Sequence, residues 1–243
     1  MTDATVRVVS YNIRALKDDR DALVRVIRAL EPDVLCLQEA PRHPFSGHRI
    51  SALAADCGLT WGGGDDRGRM STTLLTGMRL DVLASGHRLL PVVRPAEPRG
   101  WAFATCRLPG YQPFVTVSLH LSLKAKERPE HAKLLRDAKE LADNVPAVLA
   151  GDVNETSKGS AWQLFAAGLD DPSGEINTFP AKAPVKRIDT IFTSPVLRAT
   201  RPQVDLDQAD LKAASDHLPL WADLDLSGLA VGNSEAPPPM AAG

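Results

Sequence analysis

The chain has 243 residues, 44% of them hydrophobic and 24% charged, with a formal net charge of −2. Such a mix is ordinary for a soluble globular protein with one large core. A charge this near zero excludes a global basic field that would draw it to nucleic acid or an anionic membrane.

Val6 to Ile13 reads as a buried strand, with Val6, Val8 and Val9 β-branched. Asp18 to Leu30 carries Leu23, Val26, Ile27 and Leu30 at helical spacing, and Glu31-Pro32-Asp33 stops it, because the residue before a proline is pushed out of helical geometry. Val34 to Gln38 is a second buried strand, so the opening is βαβ-like, with Asn12 and Glu39 at strand C-terminal ends. A helix is expected over Ile50 to Cys57, a loop over Gly62 to Asp66 and a strand over Met70 to Thr76. Strands over Arg79 to His87, Trp101 to Leu108 and Pro113 to Leu119 form a meander, the last two joined tightly at Pro109-Gly110.

Glu127 to Asp143 reads as the longest charged helix, and Val145 to Ala150 as a short strand running into Gly151-Asp152. Ser157 to Ala167 is a helix with Ser157 as its cap. Ile188 to Thr193 and Leu218 to Leu226 close the fold as strands. From Ser227 the composition shifts to Gly, Ala, Ser and three consecutive prolines, a tail expected to be disordered, which leaves residues 1–226 as the folded domain. Helices interspersed with isolated strands and a meander imply an α/β fold with two sheets flanked by helices. Cys36, Cys57 and Cys106 are widely spaced without a CxxC, so neither zinc nor a disulfide framework is suggested. The polar start and the lack of a bilayer-length apolar run point to a cytoplasmic setting.

The chemistry lies at the strand ends. Glu39, Asp152, Asp189 and Asp216 each follow or lie within apolar strands. Two like charges about 4 Å apart repel by about 4 kcal/mol at an effective dielectric near 20, so carboxylates that converge need a cation or a shared proton. Carboxylates with an Asn carbonyl select hard Mg²⁺, Mn²⁺ or Ca²⁺ over zinc. Gly151-Asp152-Val153-Asn154 puts two polar side chains on one side of an extended backbone. Asp216-His217 sets a metal ligand beside a proton-handling imidazole, and His120 ends another apolar run.

The ordered set Asn12, Glu39, His120, Asp152 with Asn154, Asp189, and Asp216 with His217 resembles the endonuclease/exonuclease/phosphatase superfamily, which includes deoxyribonuclease I and exonuclease III. The resemblance covers Val6 to Leu226 and implies a four-layer α/β sandwich, two central mixed sheets with helices outside. It implies a Mg²⁺ site at Asn12, Glu39 and Asp216, with Glu39 the direct ligand. Asp152 is similar to the residue that activates the attacking water, and Asn154 to one that holds it or the phosphate. His217 resembles the histidine that contacts the scissile phosphate, with Asp189 its carboxylate partner; His120 resembles one near the leaving-group oxygen.

Within the family, the deoxyribonuclease-like phosphodiester hydrolases fit better than the repair enzymes, because Glu39 is followed by Ala40-Pro41-Arg42 rather than a nearby Lys. Low aromatic content argues against a lipid-facing branch and a membrane partner. Lys124, Lys126, Arg128, Lys133 and Arg136 make a local basic patch that could meet nucleic acid, although Glu127, Glu130 and Asp137 interleave with it. A phosphomonoesterase acting on a soluble metabolite, or an inactive binding protein of the same fold, are the alternatives.

Overall fold

The computed structural model describes residues 4–42, 46–62, 71–93, 97–142 and 144–231. In chain order, β1 (Thr5–Asn12) leads to α1 (Arg20–Leu30), β2 (Val34–Gln38), α2 (Ser46–Asp56) and β3 (Thr73–Thr76). The meander follows as β4 (Asp81–Leu90), β5 (Arg99–Arg107) and β6 (Phe114–His120). Then come α3 (Arg128–Arg136), β7 (Ala147–Asp152), α4 (Ser160–Ala166), β8 (Asp189–Thr193), α5 (Gln208–Ala214) and β9 (Leu220–Asp225). The strands form two mixed sheets, in the orders β3-β2-β1-β9 and β4-β5-β6-β7-β8.

Side-chain alternation sorts the core into layers, since residues two apart in a strand share a face. Val6 and Val8 of β1, Val34 and Cys36 of β2, and Ala222 and Leu224 of β9 pack against Ala102, Ala104, Phe114, Val148 and Ile191 of the second sheet. β5 presents the small side chains of Ala102 and Ala104 to that middle layer. The other face of the first sheet, through Val9, Tyr11 and Leu35, meets Leu23, Ile27 and Leu30 of α1 together with α2 and α5. The outer face of the second sheet, through Val115, Val117, Leu149 and Phe192, meets Ala132 and Leu135 of α3 and Trp162 and Phe165 of α4. The result is the four-layer sandwich expected from the family resemblance. Cys36 is buried in the middle layer, as a small hydrophobe.

Several boundaries move, each for a local reason. Helix α1 starts at Arg20 rather than Asp18, because the Asp19 carboxylate accepts the amides of Asp21 and Ala22 as a cap. It ends on Glu31 in the left-handed region at φ 47°, just before Pro32. The long helix expected to reach Asp143 stops at Arg136, with a short 3-10 turn at Lys139–Leu141. Glu140 is drawn inward instead: its Oε1 accepts the Trp101 indole N–H at 2.8 Å. Its Oε2 lies 3.6 Å from Arg88. Residue 143 itself lies outside the described residues.

Ser157 does not cap α4, which begins at Ser160. The carboxylate of Glu155 takes that role, accepting the Trp162 amide at 2.8 Å. The strand expected from Met70 begins at Thr73, and Met70 lies outside the described residues with Gly63 to Asp66 of the predicted loop. The tail expected from Ser227 keeps contact with the fold over its first residues: Leu229 is buried and the Val231 amide donates to Gly110 O at 3.0 Å. Residues 232–243 lie outside the described residues. No helix among the described residues is long and apolar enough to cross a membrane.

Candidate active site

Inner-face residues turn from apolar to polar along each central strand. On β1 the series is Val6, Val8, Ser10, Asn12, and on β2 it is Val34, Cys36, Gln38. On β6 it is Phe114, Thr116, Ser118, His120, and on β7 Val148, Ala150, Asp152. Register completes the arrangement. His120 lies opposite Asp152 across the parallel β6–β7 pair, and Asp152 opposite Asp189 across β7–β8. Three ionisable side chains therefore form one row on one sheet. Gly151 makes that row accessible to close packing: a Cβ there would sit 2.0 Å from Leu119 O.

The facing sheet contributes Asn12 and His217. Asn12 Nδ2 donates to Asp152 Oδ2 at 3.1 Å and lies 3.4 Å from Glu39 Oε1. Ser215 Oγ donates to the Asn12 backbone carbonyl at 2.6 Å, tying the segment after α5 to the end of β1. His217 Nδ1 is 2.9 Å from Asp189 Oδ2, and its Nε2 is 3.9 Å from Asp152 Oδ2. Thr178 Oγ1 donates to the same Asp189 oxygen at 2.5 Å. Phe179 packs on the imidazole of His217, ring centroids 4.9 Å apart. His120 Nε2 lies 3.5 Å from Asp152 Oδ2.

Burial sets the charge states. Asp152 is 2% exposed, and desolvation, reinforced by the neighbouring Asp189 carboxylate, pushes its carboxyl up to about 7. Desolvation would lower His217, but the charge of Asp189 and the hydrogen bond to it outweigh that and, with Asp152 and Asp216, raise the imidazole to about 9. His120 is held well below the usual histidine value, first by burial and then by Arg99, His217 and Arg42. It is a neutral imidazole, and its contact with Asp152 is therefore no ion pair.

The structure thus brings Asn12, Glu39, His120, Asp152, Asp189 and His217 to one end of the sandwich. Two expected residues behave differently. Asn154 does not alternate with Asp152 along an extended strand: β7 ends at Asp152 and Asn154 sits in the left-handed region at φ 54°. Its amide Nδ2 donates to Leu121 O at 2.9 Å, and its backbone N–H donates to Asp152 Oδ1 at 2.8 Å, so it braces the carboxylate from behind. Asp216 points to Arg14, whose Nε is 3.4 Å from its Oδ2.

Other residues of the site had no sequence signal of their own. Gln38 and Ser118 bridge the two sheets beneath the cluster, Gln38 Nε2 donating to Ser118 Oγ at 3.1 Å and Ser118 Oγ to Leu37 O at 2.9 Å, while Ser10 Oγ donates to Gln38 Oε1 within its own sheet at 3.4 Å. Polar residues at the same parity as Asn12 and His120 were the clue available. Arg99, 7% exposed, donates from Nε to Leu121 O at 2.9 Å and lies within electrostatic range of Glu39 and Asp152. Nothing in its local sequence distinguished it.

The donor chemistry suits a hard cation. Asp152 and Asp189 share a buried pocket, Asp189 Oδ1 lacks a hydrogen-bond partner, and burial together with the Asp189 charge disfavours the ionised form of Asp152. Ligand atoms of Asp152, Asp189 and His217 lie within 4.8 Å of one another. His217 is a poor member of such a set, because Nδ1 is taken by Asp189 and the ring is held protonated, and a ligating imidazole must be neutral. Oxygen donors at Glu39 and the neighbouring carboxylates fit Mg²⁺, Mn²⁺ or Ca²⁺ better.

Comparison with known proteins shows the fold and the family. No curated protein matches the chain in sequence. Among solved structures, an endonuclease/exonuclease/phosphatase family protein from Bacteroides thetaiotaomicron is 22% identical with a TM-score of 0.73, over 90% of this chain and 97% of that one. The mannosyl-6-phosphatase of the same organism is 22% identical with a TM-score of 0.71, covering 90% and 99% of the two chains. The D. rerio TDP2 complexed with single-strand DNA product is 19% identical at a TM-score of 0.67, covering 91% and 99%. Residues 9–217 match the Endonuclease/Exonuclease/phosphatase family, and the chain belongs to that family of phosphoester hydrolases.

Proposed function

We propose that the protein is a divalent-cation-dependent hydrolase of phosphodiester bonds, of the deoxyribonuclease I-like kind, with water as the nucleophile. The observation that carries this reading is the cluster in which Asp152 Oδ2 meets Asn12 at 3.1 Å and faces the Asp189-bound His217 at 3.9 Å. A carboxyl raised to about 7 is a competent base near neutral pH, and Asp152 accepts the proton of the attacking water. Asn12 and the Asn154 amide hold that carboxylate in place.

His217, kept cationic by Asp189, presents Nε2–H to a non-bridging phosphate oxygen as negative charge develops there. Neutral His120 stands on the other side of Asp152, near the leaving-group oxygen. Glu39, with Asn12 and Asp216 at the same end of the sandwich, would hold Mg²⁺, which when bound neutralises phosphate charge. Asn12 would serve through its carbonyl only with its amide turned over, since Nδ2 now faces the carboxylates.

A phosphomonoester of a soluble metabolite is the second reading, and one observation favours it. The cations that could have met a nucleic-acid backbone are largely engaged by the protein. Lys124 Nζ donates to Val93 O at 2.7 Å, Arg128 pairs with Glu155 at 3.0 Å, and Arg136 donates to Leu164 O at 3.2 Å. Hydrolysis of bis-p-nitrophenyl phosphate and p-nitrophenyl phosphate, each with Mg²⁺, Mn²⁺ or chelator, tests the proposal. Metal-dependent turnover of the diester is expected. Preference for the monoester selects the second reading, and no turnover of either leaves a binding protein of the same fold.

A further inference from the structure

A cleft of about 640 Å³ lies between β9 and α5, bordered by Ile176, Arg201, Leu206, Leu211, Leu218 and Trp221. That volume is in the range of small-molecule sites, roughly 300–1,000 Å³. Its walls are mixed: Leu206, Leu211, Leu218 and Trp221 give apolar surface, Gln203, Asp205 and Gln208 are polar, and Arg201 is the one cation among them. The guanidinium of Arg201 stacks on Trp221 with its carbon 3.7 Å from the ring centroid. Trp221 is fixed in turn, its indole N–H donating to Pro202 O at 2.8 Å.

Most arginines of this chain meet a carboxylate or, like Arg28, Arg99 and Arg136, a backbone carbonyl. Arg7, Arg25, Arg79, Arg107 and Arg187 are each paired with a carboxylate. Arg201 makes no ion pair among the described residues, and its Nε is buried with no hydrogen-bond partner. Asp205 borders the cleft but is exposed and does not pair with it. Burial alone lowers the Arg201 pKa, with no opposing carboxylate to raise it.

Stacking occupies the face of a guanidinium and leaves its N–H edge free, in the fork geometry that suits a carboxylate. An unpaired donor edge beside the apolar side chains of Leu206, Leu211 and Leu218 matches a molecule with one anionic end and one apolar body. We propose that this cleft is a binding site for a small organic carboxylate, its anionic head on the free edge of Arg201 and its body against Leu206, Leu211 and Leu218. The site is separate from the catalytic cluster but touches it in sequence, because Leu218 and Pro219 directly follow His217.

Calorimetry on the full chain tests this with 4-phenylbutyrate, 4-phenylbutanol and acetate as probes. The head and body should both matter: phenylbutyrate binds, while phenylbutanol and acetate each bind about tenfold or more weakly, as expected when a charged hydrogen bond or the apolar contact is lost. Arg201→Gln should remove the preference for phenylbutyrate over phenylbutanol and leave phosphoester hydrolysis unchanged. Val204→Trp, at a partly buried position on the rim, should fill the cleft and weaken both aromatic probes. Equal binding of acid and alcohol, or phenylbutyrate binding untouched by Val204→Trp, overturns the proposal whatever the outcome of the hydrolysis assays.

Discussion

His217 Nδ1 and Asp189 Oδ2 lie 2.9 Å apart, and the bond between them joins the two sheets. Asp189 opens β8 of the second sheet, while His217 stands three residues before β9 of the first. The imidazole that would face the phosphate is therefore oriented by the opposite half of the sandwich.

That bond has a pH signature. His217 must be protonated to donate to phosphate, so activity falls as pH rises through its value of about 9. Removing the Asp189 charge removes the main force that raises it. Asp189→Asn is expected to shift the alkaline limb of the kcat/KM profile to lower pH and to reduce kcat roughly 10²-fold or more. A limb that stays in place assigns the alkaline ionisation elsewhere.

Asp152→Asn retains the shape of the side chain and removes the base. The variant should fold and lose nearly all hydrolysis, about 10²–10⁴-fold if proton transfer is its main contribution. Near-wild-type turnover in a purified, folded Asp152→Asn protein would remove Asp152 from the chemistry.

Cation binding should also be visible without turnover. A ligand that binds only the folded state adds about 2.7 kcal/mol at a hundredfold excess over Kd, so Mg²⁺ or Mn²⁺ should raise the thermal midpoint and chelator reverse it. Glu39→Gln is expected to weaken that response at least tenfold in cation concentration. An unchanged titration would place the cation away from Glu39.

Gly151 tests the packing under the cluster. Its absent Cβ would meet Leu119 O at 2.0 Å, across the β6–β7 pair that aligns His120 with Asp152. Gly151→Ala should cost about 2 kcal/mol or more in urea unfolding, in the range of overpacked cores. A neutral effect would mean that these strands separate easily.

Acid sensitivity follows from His131, buried with Nε2 2.7 Å from Pro91 O and its pKa lowered chiefly by desolvation. The unfolded chain takes up a proton there near pH 6.5 and the folded one does not, so this residue's contribution falls as pH drops below about 6.5. The slope has a ceiling of about 1.4 kcal/mol per pH unit, the value for one full proton. His131→Gln keeps an N–H for Pro91 and should remove that slope. Parallel urea-stability profiles for the two proteins between pH 5 and 7 would refute it.

The strand ends and the polar residues they carry were legible in the chain because they rest on local facts. Apolar runs ending at Asn12, Gln38, His120 and Asp152 are visible as runs, and period-two alternation tells which side chains share a face. Helix ends were less legible, because Glu140 and Glu155 are taken by partners distant in sequence or off the helix, which no local propensity encodes.

The sequence by itself determined that the polar residues crowd at one end of the strands and that the apolar faces must be buried on both sides of each sheet. Only the tertiary structure decided what each polar group meets. Register across β6, β7 and β8 lines up His120, Asp152 and Asp189, and packing of the two sheets carries Asn12 and His217 to them. The same packing turns Asn154 behind the cluster and Asp216 toward Arg14. Spacing along a chain sets direction, whereas approach to within hydrogen-bonding distance depends on contacts between residues as far apart as Asn12 and Ser215.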